Sequence, residues 1–491
     1  MLLLLPVLIP VVGGLTVGLG AFRGRLIRSI FIEAVTLATS ALLAWLIVNG
    51  QGMTLHALRL TENLTIVFHI DGLTRVFSGL IAFLWPLATL YAFEYMEHES
   101  RESTFFAYYL MSYGVTVGIA LSGNLFTLYA FYELLTLITL PLVLHKMDAT
   151  SNRAGRMYLY YSISGAALAF IGMIFVLTYA TNPSTAFIYG GVINSARVAG
   201  NKDLLLAVFL MSFVGFGVKA AIFPLHHWLP TVSVAPTPVT ALLHAVAVVK
   251  AGAFAIIRLI YYSFGAHFLR GTWAQYAAMA LAMFTIVYGS AMAVKEQHFK
   301  RRLAYSTVSN LSYVVFGATL MTPAGLAGSL THMLFHGVMK ITLFFCAGAV
   351  LVQTEREYVQ DLRGFGRVMP FTFGVFTVAA MALVGVPPLA GFISKWNLAT
   401  AAASSGQGLA YVGVGALIVS AILTAVYLFT VVVTAQFMPL NASSAALAGR
   451  KLDPGWRMKL PLAVLTVAIV ALGVWSVPLV QFLLRVASGL Y

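Results

Sequence analysis

Charge is scarce in this chain. Of its 491 residues 9% are charged against 60% hydrophobic, and the mean hydropathy is +0.92. Soluble domains carry charge on about a quarter of their residues, so that class is excluded. Cysteine is scarcer still: Cys346 stands alone, which rules out a disulfide framework and the roughly four protein ligands of an iron-sulfur cluster. Gly14, Gly18, Gly20 and Gly24 do not form G-x-G-x-x-G and lie in or beside an apolar stretch, which argues against a dinucleotide site. Hydrophilic stretches long enough for a soluble domain are missing as well; the largest, 50–71, 181–202 and 438–458, hold about twenty residues each. No cofactor and no catalytic chemistry of its own are expected, and any redox step belongs to partners.

What the chain has is apolar length. Fourteen stretches recur, at 2–20, 27–49, 72–96, 104–121, 123–145, 156–179, 203–223, 236–261, 271–294, 302–321, 323–352, 370–398, 408–437 and 459–485. Each suffices to cross a hydrocarbon core of about 30 Å at about 1.5 Å per residue. The sequence predicts an all-α polytopic membrane protein, a single integral membrane domain over 1–491. Before the first stretch there is no positive n-region, and Arg23, Arg25 and Arg28 follow it, so it is expected to be a retained helix and not a cleaved signal.

The formal charge of +14 suggests nucleic acid, but the placement of the cations contradicts it. Arg75, Lys219, Lys250, Arg258, Lys340 and Lys395 lie within the apolar stretches. Taking loops in alternation, one side carries 18 basic residues and the other five, Arg59, Arg197, Lys202, Arg270 and Arg485. By the positive-inside rule this predicts the inner (cytoplasmic) membrane, with both termini on the non-cytoplasmic side.

Two spans read as broken. In the seventh, Phe223-Pro-Leu-His-His-Trp-Leu-Pro230 follows Lys219; in the twelfth, Gly385-Val-Pro-Pro-Leu-Ala-Gly391 precedes Lys395. Proline removes helix hydrogen bonds, and broken helices survive in a membrane only where they face protein or water. Matching interruptions in two halves mark transporters built from inverted repeats. Spans four to eight (104–261) and nine to thirteen (271–437) contain five helices each, and a shift by an odd number reverses orientation.

Lys219, Lys250, Lys340 and Lys395 are the strongest functional signal, because an ammonium at mid-bilayer costs on the order of 3 kcal/mol even on lenient scales. Neighbouring charge and burial tune the proton affinity of such a group, which suits proton conduction; snorkelling to an interface is the alternative, weakest for Lys250 and strongest for Lys395. Glu133 stands nine residues into an apolar helix and needs a cation nearby; Lys219 is the expected partner, in a proton site or a structural salt bridge. His332, His336 and Lys340, at i, i+4 and i+8, share one helical stripe and suit a relay. A metal site there is disfavoured, since no H-E-x-x-H is present and Lys340 would repel a cation. His244 is a candidate relay residue or a hydrogen-bonded core histidine. Glu33 and Arg75 fit helix packing, and Asp71 fits a helix N-terminus.

Four motifs carry a family resemblance: Val218-Lys-Ala-Ala-Ile-Phe-Pro-Leu-His-His-Trp-Leu-Pro230, the run from Ala235-Pro-Thr-Pro through His244 to Lys250-Ala-Gly252, Phe299-Lys-Arg-Arg-Leu-Ala-Tyr-Ser-Thr-Val-Ser309, and His332-Met-Leu-Phe-His-Gly-Val-Met-Lys340. With them the chain resembles the antiporter-like subunits shared by respiratory complex I, Mrp-type Na⁺/H⁺ antiporters and energy-converting membrane hydrogenases. The resemblance implies about fourteen helices in two inverted five-helix repeats, other integral membrane subunits as partners, and protons, with Na⁺ in the antiporter branch, as cargo. It implies a mid-membrane path through Glu133, Lys219, Lys250, the 332–340 stripe and Lys395, with Glu133 pairing Lys219, Lys250 linking the halves and Lys395 serving the exit. Leu383-Val-Gly-Val-Pro-Pro-Leu-Ala-Gly-Phe-Ile-Ser-Lys-Trp396 is most similar to the Mrp D subunit or a hydrogenase homologue, while N-type complex I subunits also carry lysine there.

Overall fold

In a bilayer every backbone N–H and C=O must find its partner within the protein, and a helix satisfies them locally. Apolar length therefore becomes helix almost throughout. The computed structural model describes all residues except 21, 23, 62–63, 182–185, 199, 442–448 and 491, and at 195–196 the backbone alone. Arg23, counted above among the loop cations, lies outside the described residues. Numbering the helices of nine or more residues, the order is α1 (Leu5–Gly18), α2 (Arg25–Asn49), strands β1 (Thr54–Arg59) and β2 (Thr65–His69), α3 (Gly72–Tyr95), α4 (Glu102–Ala120), α5 (Leu125–Val143) and α6 (Ala149–Tyr179). It continues with α7 (Lys202–Gly217), α8 (Thr237–Ala245), α9 (Val248–Arg258), α10 (Trp273–Lys295), α11 (Phe299–Thr319) and α12 (Pro323–Thr354). The last are α13 (Pro370–Val384), α14 (Ala390–Ala403), α15 (Gly408–Gln436), α16 (Trp456–Val474) and α17 (Val477–Ala487).

The hairpin corrects the all-α expectation. β1 and β2 pair antiparallel with an irregularity between His56 and Leu58, in what reads in the sequence as a plain loop. It is tied to the α4–α5 turn by Gly123 N donating to Val67 O at 2.8 Å and His69 N to Leu121 O at 2.8 Å. Among the described residues nine helices are long and apolar enough to cross a membrane.

The segment from α8 through Phe264 is buried along its whole length and α12 nearly so. α12 packs against α3, α8, α11, α13, α14, α16 and α17, and α9 against α5, α7, α8 and α11, so these form the centre. The periphery is apolar outward: Ile30 and Trp45 on α2, Tyr160 and Phe170 on α6, Ile418 and Ile422 on α15 are all exposed. Exposed aliphatic and aromatic rows of this kind suit hydrocarbon.

Both predicted breaks are present, and a third was not foreseen. After α7, Ile222 N bonds back five residues to Gly217 O at 3.0 Å, with Ala221 at φ +56°. After α13, Val386 N bonds to Met381 O at 3.0 Å, with Gly385 at φ +102°. The eighth span, expected to be continuous over 236–261, breaks where Ala247 N bonds to Leu242 O at 2.9 Å. No proline marks that point; one residue too many is accommodated in the turn. The fourteenth span, 459–485, likewise divides between α16 and α17 at Trp475–Ser476.

Asp71 caps α3 by accepting from Thr74 N at 2.8 Å. Its carboxylate also takes a forked pair of bonds from Arg258, 2.5 Å to Nη1 and 2.9 Å to Nη2, and Arg258 is 1% exposed. Removing one partner leaves a buried charge uncompensated. Asp71→Ala is expected to destabilise the detergent-solubilised protein by roughly 3–5 kcal/mol, and Asp71→Leu with Arg258→Met to recover most of that loss. Thermal midpoints check it: a single variant as stable as the parent would mean that the pair does not anchor α3 to α9.

Candidate functional site

Lys219 stands in the unwound turn between Gly217 and Ile222, a segment held by Trp228 Nε1 donating to Val218 O at 2.8 Å. Its side chain is fully buried. The Nζ lies 3.9 Å from Glu133 Oε1, donates to Tyr132 O and sits 3.5 Å from the Tyr132 ring centroid. The expected Glu133–Lys219 pair is thus formed, loosely. Glu133 keeps 27% of its side-chain surface exposed, so the carboxylate lies at the edge of the bundle.

α9 is pressed against this turn: a Cβ on Gly252 would collide with Ala220 N and lie 2.8 Å from Lys219 C. Two residues earlier, Lys250 is completely buried. Its Nζ donates to His244 O at 3.1 Å and lies 2.7 Å from His336 Nδ1. The wide turn at Val246–Ala247 explains the first bond, because it takes the end of α8 out of helical register and exposes its carbonyls, where a cation is also favoured by the helix dipole.

From His336 the contacts continue. Its ring lies 5.7 Å from that of His332, whose Nδ1 is 2.9 Å from Ser394 Oγ and whose ring is 5.1 Å from Tyr313. Ser394 directly precedes Lys395. Lys395 Nζ donates to Leu383 O at 2.7 Å and Val384 O at 3.0 Å, the carbonyls that end α13, and lies 5.5 Å from the Tyr313 ring. Lys395 is partly exposed, and α13 and α14 fold back tightly because Gly391 leaves no Cβ to strike Ala382 O. Among the described residues His332 Nε2 and His336 Nε2 make no hydrogen bond of good geometry, while the Nδ1 atom of each ring is held.

Two expected members sit beside this line. Lys340, fully buried, donates to Ser306 Oγ on α11 and lies 5.7 Å from the Phe344 ring. The His244 ring meets Phe344 at 4.6 Å and, among the described residues, neither nitrogen has a hydrogen bond, so His244 reaches Lys250 through its carbonyl. Among the described residues Lys250, Lys340 and Lys395 form no ion pair with a carboxylate.

Tyr132, Ser306, Tyr313 and Ser394 escaped the sequence reading, as did Lys300, a buried lysine donating to Ala235 O at 2.8 Å. Signals existed: Lys300 and Ser306 fall in the 299–309 motif, Tyr313 lies seven residues on along the same face, and Tyr132 and Ser394 adjoin Glu133 and Lys395.

A family profile described as "NADH:quinone oxidoreductase/Mrp antiporter, TM" matches residues 122–446, and one described as "NADH-Ubiquinone oxidoreductase (complex I), chain 5 N-terminus" matches 60–106. NADH-quinone oxidoreductase subunit N of Desulforudis audaxviator is 33% identical over 435 residues, 85% of this chain and 84% of that one. F(420)H(2) dehydrogenase subunit N of Methanosarcina mazei is 28% identical over 505 residues, 99% of this chain and 98% of that one. A chain in the structure of the Mrp complex from Dietzia sp. DQ12-45-1b shares the fold, with TM-score 0.83 over 100% of this chain and 98% of that one at 22% identity. This polytopic membrane chain belongs to the NADH:quinone oxidoreductase/Mrp antiporter family of membrane subunits.

Proposed function

We propose that the chain is a proton-translocating, antiporter-like subunit of a multisubunit complex in the inner membrane, with other integral membrane subunits as partners. One observation carries the reading: the buried run from Lys250 through His336, His332 and Ser394 to Lys395, in which successive polar groups lie close together inside an apolar bundle. Glu133 and Lys219 form the entry pair, Lys250 and the two histidines link the halves, and Lys395 serves the exit. Lys340 with Ser306, and His244, flank the line as lateral proton sites. Among the described residues Lys250, Lys340 and Lys395 have no carboxylate counter-ion, so a role in helix packing alone leaves the desolvation of three ammonium groups largely uncompensated.

About fourteen spans in two inverted repeats, 104–261 and 271–437, fit this reading. Each repeat contains a break closed by a five-residue bond, with a left-handed residue, Ala221 or Gly385, close to a buried lysine. The cation-rich loops place both termini on the non-cytoplasmic side. For the coupling, the 383–396 stretch favours an Mrp D-like subunit exchanging a monovalent cation such as Na⁺ for protons. The long match with an NADH-quinone oxidoreductase subunit N favours the second reading, redox-driven pumping in such an oxidoreductase or a related hydrogenase.

In proteoliposomes of the intact complex, Lys250→Met is expected to cut proton transport at least about 100-fold, the scale of losing a positioned proton carrier. Dye-monitored ΔpH reads the loss, and unchanged transport in an assembled complex would reduce the line to scaffolding. Lys395→Glu should keep partial activity, because a carboxylate still titrates at the exit; a loss equal to that of Lys250→Met argues against that role. Omitting Na⁺ separates the branches: exchange collapses without it, whereas redox-driven acidification continues.

A further inference from the structure

A cavity of about 410 Å³ opens beside the first break, lined by Arg153 near the start of α6, His227 from the unwound segment and Arg301 at the start of α11. All three are exposed and, among the described residues, Arg153 and Arg301 make no salt bridge. The carboxylate nearest in sequence, Asp148, is engaged as the N-cap of α6, accepting from Ser151 N at 2.6 Å. Thr150 and Thr231 add hydroxyls to the lining. The cavity is thus a cationic concavity with hydrogen-bond donors and no acid among its lining residues, on the face that bears the cation-rich loops.

Its depth is that of lipid headgroups. α6 has 31 residues, about 46 Å of helix against a hydrocarbon core of about 30 Å, so its first turns project into the interface. Below Arg153 on the same helix stripe come Met157 and then exposed Tyr160, Ile163, Phe170 and Ile174, at helical spacings of three, four and seven. A free anion uses the cavity alone; an amphiphile uses the cavity and the apolar stripe together.

We propose that this cavity binds the phosphate of an anionic phospholipid, whose acyl chains lie along the outer face of α6. Basic pockets between helices on the cation-rich side of a membrane protein suit such headgroups, and two guanidiniums match phosphate geometry. The bound lipid joins three elements, α6, α11 and the segment that follows Lys219, through Arg153, Arg301 and His227.

The test uses the delipidated complex containing this chain, titrated with phosphatidylglycerol in neutral-lipid micelles and, in a separate arm, with inorganic phosphate. Thermal midpoint and native mass spectrometry read binding. Phosphatidylglycerol is expected to raise the midpoint and phosphate to leave it unchanged. Arg153→Ala with Arg301→Ala should weaken phosphatidylglycerol roughly 30-fold, at about fivefold per basic residue near the surface. Arg363→Ala with Arg450→Ala, which removes equal charge from exposed residues outside the cavity, should change it less than about twofold, and Arg153→Lys with Arg301→Lys should retain most of the affinity. Equal effects of the two alanine pairs, or none from either, overturn the proposal. A full response to inorganic phosphate overturns the lipid assignment, as does release of a neighbouring subunit in place of lipid.

Discussion

A buried ammonium needs acceptors, and in a bilayer the carbonyls of an intact helix are already taken. The fold answers by breaking helices where lysines stand. Lys250 lies on a carbonyl at the end of α8 and Lys395 on two at the end of α13, beside turns closed by bonds that reach back five residues. Helix C-termini attract cations through the partial negative charge of these same carbonyls, so broken helix and buried lysine stabilise each other. At these two sites the lysine supplies donors to carbonyls that the break leaves free, whereas Lys340, in unbroken α12, takes the Ser306 hydroxyl in their place.

Carbonyl acceptors differ from carboxylates in one decisive respect. A carbonyl holds an ammonium without leaving a buried anion behind when the proton departs. Arg258 and Asp71 show the opposite arrangement, with a guanidinium that does not deprotonate fixed by two bonds to a carboxylate. The chain therefore separates charge paired with a carboxylate, which fastens α9 to α3 at one end of the bundle, from charge held by carbonyls along its centre. Gly252 and Gly391 serve the second group by letting backbones approach where a side chain would block them.

Much of this was legible in the sequence because the rules involved are local. Apolar length located the helices, prolines at 224 and 230 and at 387 and 388 marked two breaks, and charged residues in hydrocarbon stood out from their surroundings. The break at Val246–Ala247 was not legible, since it lies in an apolar run without proline or glycine and depends on how α8 packs against α12 and α9 against α7 and α11. The β1–β2 hairpin was hidden for a similar reason: its partner in the α4–α5 turn is more than fifty residues away in sequence. The stripe of His332, His336 and Lys340 was right for the backbone, yet long side chains choose their direction after folding, and Lys340 turns to Ser306. For Ser394 the one sequence signal was its place beside Lys395, a weak one because serine is common in membrane helices; the His332 contact is what distinguishes it.

The two ends of the line are unequal, and the inequality has a size. At Lys219 a carboxylate lies 3.9 Å away, beyond ordinary hydrogen-bond length, with one edge toward the outside of the bundle. At about 4 Å and an effective dielectric constant near 20, two unit charges attract by about 4 kcal/mol, which corresponds to roughly a thousandfold in an equilibrium. A rotamer change that carries Glu133 from about 4 Å to about 8 Å halves that attraction, a change of about 2 kcal/mol or roughly thirtyfold, without unfolding any helix. Lys395 has no such partner among the described residues, and its two carbonyls are fixed to α13. The spacing between α13 and α14 is itself fixed by the close contact at Gly391. The partner is accordingly a mobile side-chain group at one end and backbone carbonyls fixed in a packed helix at the other.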